Sequence, residues 1–360
     1  MRGWILGALA ALGLAGPAPA SPITEAYTSF YVTGDSLSDD GNLFGPLWYA
    51  ATGGSPYRGS FWRGGTFTDG EVWNEPLLEA FEDAGRDARN LAVGRAETSG
   101  GGLVVPDLGR QISRLLDATT RGERGANPLA SIWIGGNEIM DAIASGDGLR
   151  AARAAADGVA SGARRLARHG IDDLVILNLP NLAWTPRYNL FERERRAEAR
   201  EATRAHNRRL ARNIEALEAE GVAVTAVNAA RLLGEARRDP ATFGFADATL
   251  PCVFPSDAAA RAHGQPRRCG RDVADRRLFV DEIHPSARAH AIVGAAVEDA
   301  LLAGLAAPAL VMAEGARSAQ VPAPVPLPPA ALLLGAALGG LALAGRRRAR
   351  PCDPARADGA

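Results

Sequence analysis

The sequence has no lysine: all 40 of its basic residues are arginine, against 41 acidic ones. That absence closes two kinds of chemistry. A Schiff-base mechanism needs a side-chain amine and a Walker-type phosphate loop needs its lysine, so neither is open to this chain. An excess of either charge is also lacking. The formal net charge of −1 excludes a nucleic-acid footprint built on bulk positive charge. Cysteine is scarce, with 3 in 360 residues, and aromatics make up only 6%. A chain of this length builds one large domain or two small ones without needing cross-links to hold a core. What is abundant is apolar and small, and much of it is concentrated at the two ends.

Residues 1–20 (MRGWILGALAALGLAGPAPA) carry Arg2, an apolar run from Trp4 to Ala15, and Ala18-Pro19-Ala20 as a small-residue cleavage site. That is the layout of a secretory signal peptide. At the other end a Pro-punctuated linker, 311–329, precedes an apolar stretch over 330–345, and a tail over 346–360 opens with Arg346, Arg347 and Arg348. Physically this is a stiff spacer, a short membrane helix and a positive cytoplasmic stop. The VPLPP run, with the apolar stretch and the basic tail after it, resembles the VPLPA type of PEP-CTERM sorting signal of bacterial envelope proteins, with Pro329 where that pattern usually has Ala. The resemblance implies export by a bacterium to the periplasm, surface or medium, a membrane contact through the C-terminal helix, and a sorting enzyme of the exosortase type as partner.

The body between the ends, 21–310, reads as one catalytic domain. With the ends removed the chain is about five charges negative over 21–320, holding 34 arginines against 39 acidic residues. Cys252 and Cys269, with 16 residues between them, are candidates for one disulfide, worth roughly 3 kcal/mol for a loop of that size. Metal ligation by the pair is the weaker alternative, because neither belongs to a CxxC unit.

Short apolar or β-branched runs alternate with long helical patterns, the signature of a βαβ architecture. Strands are predicted at Ser29–Thr33, Ser131–Gly135, Asp173–Leu179 and Val222–Val227. Helices are predicted over Leu149–His169, Phe191–Glu220 and Ala287–Ala303, the first two closed by Gly170 and Gly221. The expected fold is α/β, a three-layer α/β/α flavodoxin-like arrangement with a parallel sheet of roughly five strands. A Gly- and Ser-rich stretch over 41–70 reads as a long loop of the kind that carries function.

The chemistry concentrates in four blocks. GDSLSDDGN, Gly34 to Asn42, follows the first strand, so Ser36 projects into the crevice above a parallel sheet where ligands bind. NLAVGRAET, from Asn90, contains Gly94; IGGNE, from Ile134, contains Asn137; DEIHP, from Asp281, places His284 three residues after Asp281. In this order the blocks resemble the GDSL family of SGNH hydrolases, named for Ser, Gly, Asn and His. GTFTDGEVW (from Gly65), NLPNLAWTP (from Asn178) and the FGF segment at Phe243 extend the resemblance over most of residues 29–303. Arg95 stands where the family commonly has a second Gly, and Glu138 where it usually has Asp.

The roles follow from the residue types. Ser36 needs a base, and without lysine that base is an imidazole. His284 is the best of five histidines, since Asp281 is in reach to hold its tautomer; His169, His206, His263 and His290 have no such partner and read as surface or core residues. An oxyanion hole would draw on the backbone N–H groups of Ser36 and Gly94 and the side-chain amide of Asn137. Asp39, Asp40 and Asn42 read as turn formers bracing the nucleophile loop. The reading is an exported serine esterase or lipase, acting on a lipid, an acylated polysaccharide or a small ester, with no cofactor, no metal and no nucleic-acid partner. A metallophosphoesterase would need a D-x-H ligand motif, which Asp35-Ser36-Leu37 lacks. The alternative from another class is a catalytically inactive SGNH-like surface or matrix binding module. Trp48, Trp62, Trp73 and Trp184 suit an acyl or sugar pocket and a place in the core equally well.

Overall fold

The three central strands carry apolar side chains on both faces, which forces helices onto both sides of the sheet. The structure, a computed structural model, describes residues 21–43 and 65–306. The strands are β1 (Ser29–Gly34), β2 (Asp87–Asn90), β3 (Pro128–Trp133), β4 (Asp173–Leu177) and β5 (Ala223–Val227), all parallel, in the order β2-β1-β3-β4-β5. Successive side chains point to opposite faces. Phe30 and Val32 of β1, Leu129 and Trp133 of β3, and Val175 and Leu177 of β4 therefore join one apolar cluster. Tyr31, Ala130, Ile132, Leu174 and Ile176 join the other.

The longer helices are α1 (Glu75–Asp83), α2 (Leu108–Ala118), α3 (Gly136–Ile143), α4 (Gly148–Arg168), α5 (Arg196–Ala219), α6 (Ala229–Arg238) and α7 (Ala287–Ala306). Phe81 of α1, Leu233 of α6 and Val293 and Val297 of α7 cover the first face. Ile112 of α2, Val159 and Leu166 of α4, and Leu210 of α5 cover the second. Each such side chain contributes roughly 1.5–3 kcal/mol on burial. The expected α/β/α fold with a five-stranded parallel sheet is thus the one observed.

Several boundaries differ from those expected. The third strand begins at Pro128, since proline is tolerated at the first residue of a strand, and it ends at Trp133 before Gly135 turns to φ 122°. The helix expected from Phe191 starts only at Arg196, after a π turn (Arg187–Phe191) and a 3-10 turn (Arg193–Arg195). The last helix runs on to Ala306. Beyond the main sheet, β6 (Asp247–Pro251) and β7 (Arg277–Phe279) form a separate parallel pair, stapled nearby by the disulfide between Cys252 and Cys269, whose Cα atoms lie 5.0 Å apart.

The strand order places a topological switch between β1 and β3: the chain leaves β1 toward β2 and leaves β3 toward β4. In open α/β sheets that divergence opens a crevice at the carboxyl ends of the strands. Ser36 follows β1 and Asn137 follows β3, so the order of strands puts both at this crevice. Among the described residues no helix is long and apolar enough to cross a membrane. The segments predicted as signal peptide, Pro-rich linker, apolar membrane stretch and basic tail, together with Trp48, Trp62 and most of the stretch over 41–70, lie outside the described residues.

Candidate active site

Gly34 ends β1 so close to β3 that a Cβ there would stand 2.6 Å from the Trp133 carbonyl oxygen. Its backbone is gripped by the buried Gln111 of α2, whose Oε1 accepts from the Gly34 N–H (2.9 Å) and whose Nε2 donates to its carbonyl (2.8 Å). The turn beyond folds back on itself, with the Ser38 and Asp39 N–H groups donating to the Asp35 carbonyl and the Leu37 N–H to the Asp35 side chain. Ser38 anchors it further: its hydroxyl accepts from Trp73 Nε1 at 3.1 Å, and its carbonyl accepts from the amides of Asn74 and Asn90. Ser36 thus rides on a turn held from four directions.

Ser36 Oγ lies 2.9 Å from His284 Nε2, and His284 Nδ1 lies 2.7 Å from Asp281 Oδ2. All three are buried, at 8%, 8% and 7% exposure, with Ser36 and His284 facing one pocket. A carboxylate only accepts, so Nδ1 carries the proton and Nε2 is left to accept from the Ser36 hydroxyl. Asp281 Oδ1 takes the backbone N–H groups of Ile283 and His284 at 2.8 and 2.7 Å, which fixes the carboxylate. Burial pushes the Asp281 carboxyl up, but the His284 charge and these hydrogen bonds outweigh it and leave the pKa lowered. Burial opposes charge on His284 as well; the Asp281 carboxylate overcomes it, so the imidazole pKa is raised. Asp35, fully desolvated beside them, is pushed up to about 7.

Asn137 sits in the first turn of α3 and donates one amide N–H to the Ala96 carbonyl (2.9 Å), while lining the pocket that holds Ser36. The Ser36 N–H makes no hydrogen bond to the described residues. Gly94 differs from both: its N–H donates to Asp39 Oδ2 at 2.6 Å. A side chain at Gly94 would collide with Phe67, which stands beside the His284 ring at a centroid distance of 5.1 Å. Asp39 is buried and also accepts from the N–H groups of Gly41, Asn42 and Leu43, the bracing role expected of it.

The two departures from the family pattern acquire physical accounts. Arg95 is the one described non-glycine residue at positive φ, 66°, a backbone state that costs an L-residue about 1–2 kcal/mol. Glu138 is long enough for its Oε1 to take both the N–H and the hydroxyl of Thr98 at 2.8 Å, tying the start of α3 to the Gly94 segment.

The other histidines are not at the reacting centre. His206 and His290 are buried and held neutral by desolvation, with pKa values lowered to about 4 and about 3. His263 packs between Phe191 and Phe254, and His169 is exposed at the end of α4. Trp73 is core, edge-on to Trp133, whereas Trp184 lines the pocket. Sequence reasoning missed Gln111, Phe67 and the pocket walls Met140, Leu182, Leu233 and Ile283. Of these Phe67, Leu182 and Ile283 had a signal, through their places in the GTFTDGEVW, NLPNLAWTP and DEIHP blocks. The first of these blocks also closes the site: Thr68 Oγ1 donates to the Pro285 carbonyl, and Asp69 accepts the Ala287 N–H at 2.7 Å. Among the described residues, no three His, Cys, Asp or Glu side chains converge as a metal site.

A serine hydroxyl at the crevice of a parallel α/β sheet, in contact with an imidazole that is itself backed by a carboxylate, defines a class: serine hydrolases of the acyl-transfer type. The family model for the GDSL-like lipase/acylhydrolases matches residues 30–297, and the chain belongs to that family, which makes it a carboxylic ester hydrolase. A similar curated protein is the phosphatidylcholine-sterol acyltransferase of Aeromonas hydrophila, 24% identical over 259 residues that cover 70% of this chain and 72% of the relative. Among solved structures, an acetylxylan esterase from Geobacillus stearothermophilus is similar with a TM-score of 0.42 and 12% identity, over 76% of this chain and 94% of that one. A GDSL-like lipase from Parabacteroides merdae gives 0.39 and 12% over the same shares.

Proposed function

We propose that the chain is an exported serine esterase or lipase that hydrolyses carboxylic esters through an acyl-enzyme. The observation that carries this is the continuous contact from Ser36 Oγ to His284 Nε2 (2.9 Å) and from His284 Nδ1 to Asp281 Oδ2 (2.7 Å). Ser36 Oγ bonds to the ester carbonyl carbon as its proton passes to Nε2. The carbonyl oxygen takes up the negative charge, and the free Ser36 N–H and the second amide hydrogen of Asn137 are donors suited to it. Gly94 joins them as a third donor by releasing Asp39. Collapse expels the alcohol, which takes the proton from His284. Water then attacks the acyl-enzyme, giving its proton to His284, and the acid leaves as Ser36 regains its own. Asp281 orients the imidazole and stabilises its charged form without becoming protonated.

The pocket walls are apolar, with Leu37, Met140, Leu182, Trp184, Leu233 and Ile283 among them, which supports an ester with an apolar arm. Lipids, acylated polysaccharides and small esters all offer one. Export is supported by the N-terminal segment, and the disulfide suits an oxidising compartment. A fluorophosphonate probe followed by mass spectrometry tests the nucleophile: an adduct on Ser36, lost in Ser36→Ala, is expected. No adduct in folded protein would leave the inactive binding module as the better reading. For the tail, deletion of residues 321–360 is expected to move the protein into the soluble envelope or medium, and unchanged fractionation would sink the anchor.

A further inference from the structure

The apolar pocket carries a cation in its wall. Arg237, in the last turn of α6, lines the same pocket as Ser36 and His284, one helical turn beyond Leu233. Its guanidinium lies over the Trp184 ring at 5.9 Å, and its Nε is buried with no hydrogen-bond partner. No carboxylate pairs with it among the described residues. Its electrostatic neighbours are instead Arg196 and Arg200, one turn apart on α5. Arg196 is occupied, donating from Nε to the Ala183 carbonyl at 3.1 Å. A guanidinium stays charged at any ordinary pH, so a half-buried one with like-charged neighbours and no counter-ion sits at an energetic cost. Capping the end of α6 does not require this, because the exposed Arg238 is available for that. The arrangement lacks only a negative group, and the pocket is open to supply one.

We propose that the part of the pocket lined by Arg237 binds an anionic group carried by the substrate, a carboxylate or phosphate separated from the scissile ester by an apolar stretch. Arg237 is the direct ligand, and Arg196 and Arg200 add to the positive field. This rests on the pocket being the ester site. A bidentate, charge-assisted contact in a partly desolvated setting is strong and geometrically selective. The anion can lie on the acyl arm, as in a half-ester of a dicarboxylic acid, or on the alcohol arm, as in an acylated glycerol phosphate.

Two matched pairs of probes separate these sources. One compares p-nitrophenyl hydrogen adipate with p-nitrophenyl hexanoate; the other compares 1-acylglycerol 3-phosphate with the monoacylglycerol of the same chain. In the wild type at least one anionic probe is expected to exceed its neutral match in kcat/KM by about tenfold or more, the strength of one charged hydrogen-bonded contact. Arg237→Met is expected to bring that ratio close to one and Arg237→Lys to keep part of it, through charge without the bidentate geometry, as a role confined to packing on Trp184 would not. Ratios near one for both pairs in the wild type, or a ratio unchanged by Arg237→Met, would overturn the proposal while leaving the esterase intact. If no ester is turned over, the esterase reading fails, and binding then decides the subsite. Titration of p-nitrophenyl hydrogen adipate and of 1-acylglycerol 3-phosphate into Ser36→Ala should give, for at least one of them, a Kd at least tenfold tighter than in Ser36→Ala/Arg237→Met, and equal values for both would overturn it.

Discussion

Two parts of the pocket wall, one at Ser36 and one at Arg237, are built on opposite principles. Around Ser36 nearly every polar group has a partner: Ser36 with His284, His284 with Asp281, Asp281 with two backbone N–H groups, and Asp39 with four. At Arg237 a buried Nε has none. A fully satisfied network holds a geometry, whereas an unsatisfied cation awaits a ligand. Rate should therefore depend on the first part and selectivity on the second.

The largest effect that would break this comparison is at Asp281. Asp281→Asn keeps the shape but reverses the donor logic at Nδ1, and kcat is expected to fall about 10^4-fold, read by steady-state kinetics. A loss under tenfold would mean that the carboxylate is only structural. Asn137→Ala removes one oxyanion donor and is expected to cost about 10^2- to 10^3-fold in kcat. An effect confined to KM would place Asn137 in binding.

The pH profile is the next test. His284 must be neutral to accept the Ser36 proton, and its pKa is raised above 6.5 by the Asp281 carboxylate against the opposing effect of burial. kcat/KM should therefore fall as pH drops through a midpoint above 6.5, and a midpoint below 6 would contradict the pairing. The smallest effects compare stability at the two parts. Asp39→Ala strands the N–H groups of Gly41, Asn42, Leu43 and Gly94 and is expected to cost about 3 kcal/mol in denaturant unfolding. Arg237→Met should stay within about 1 kcal/mol of wild type, since losing an unpaired charge offsets losing the Trp184 contact. Equal losses at both parts would erase the distinction.

Legibility in the sequence tracks the range of the interactions. Asp281 and His284, three residues apart, could be paired from spacing, and so could the bracing of the Ser36 turn by Asp39. The four blocks identified the crevice because family resemblance stands in for distance. β2 was not legible: its residues, Asp87-Ala88-Arg89-Asn90, are poor strand formers, and only pairing with β1 at the sheet edge makes them a strand. Gln111 grips Gly34 from 77 residues away, and nothing local to either residue announces it. Arg237 carries no mark in the sequence, because only the folded chain shows which arginine lines the pocket.

Ser36 and His284 meet at a sequence separation of 248. One comes from the turn after the first strand and the other from just before the last helix, so no fragment that lacks either end of the domain can hold both. Their contact is also among the most non-local in the molecule, of the kind that forms late and slowly. Hydrolysis is then a readout of complete folding. In a refolding experiment ester turnover should lag behind the recovery of helical signal, and a chain still in transit or only partly folded would be harmless to the esters around it.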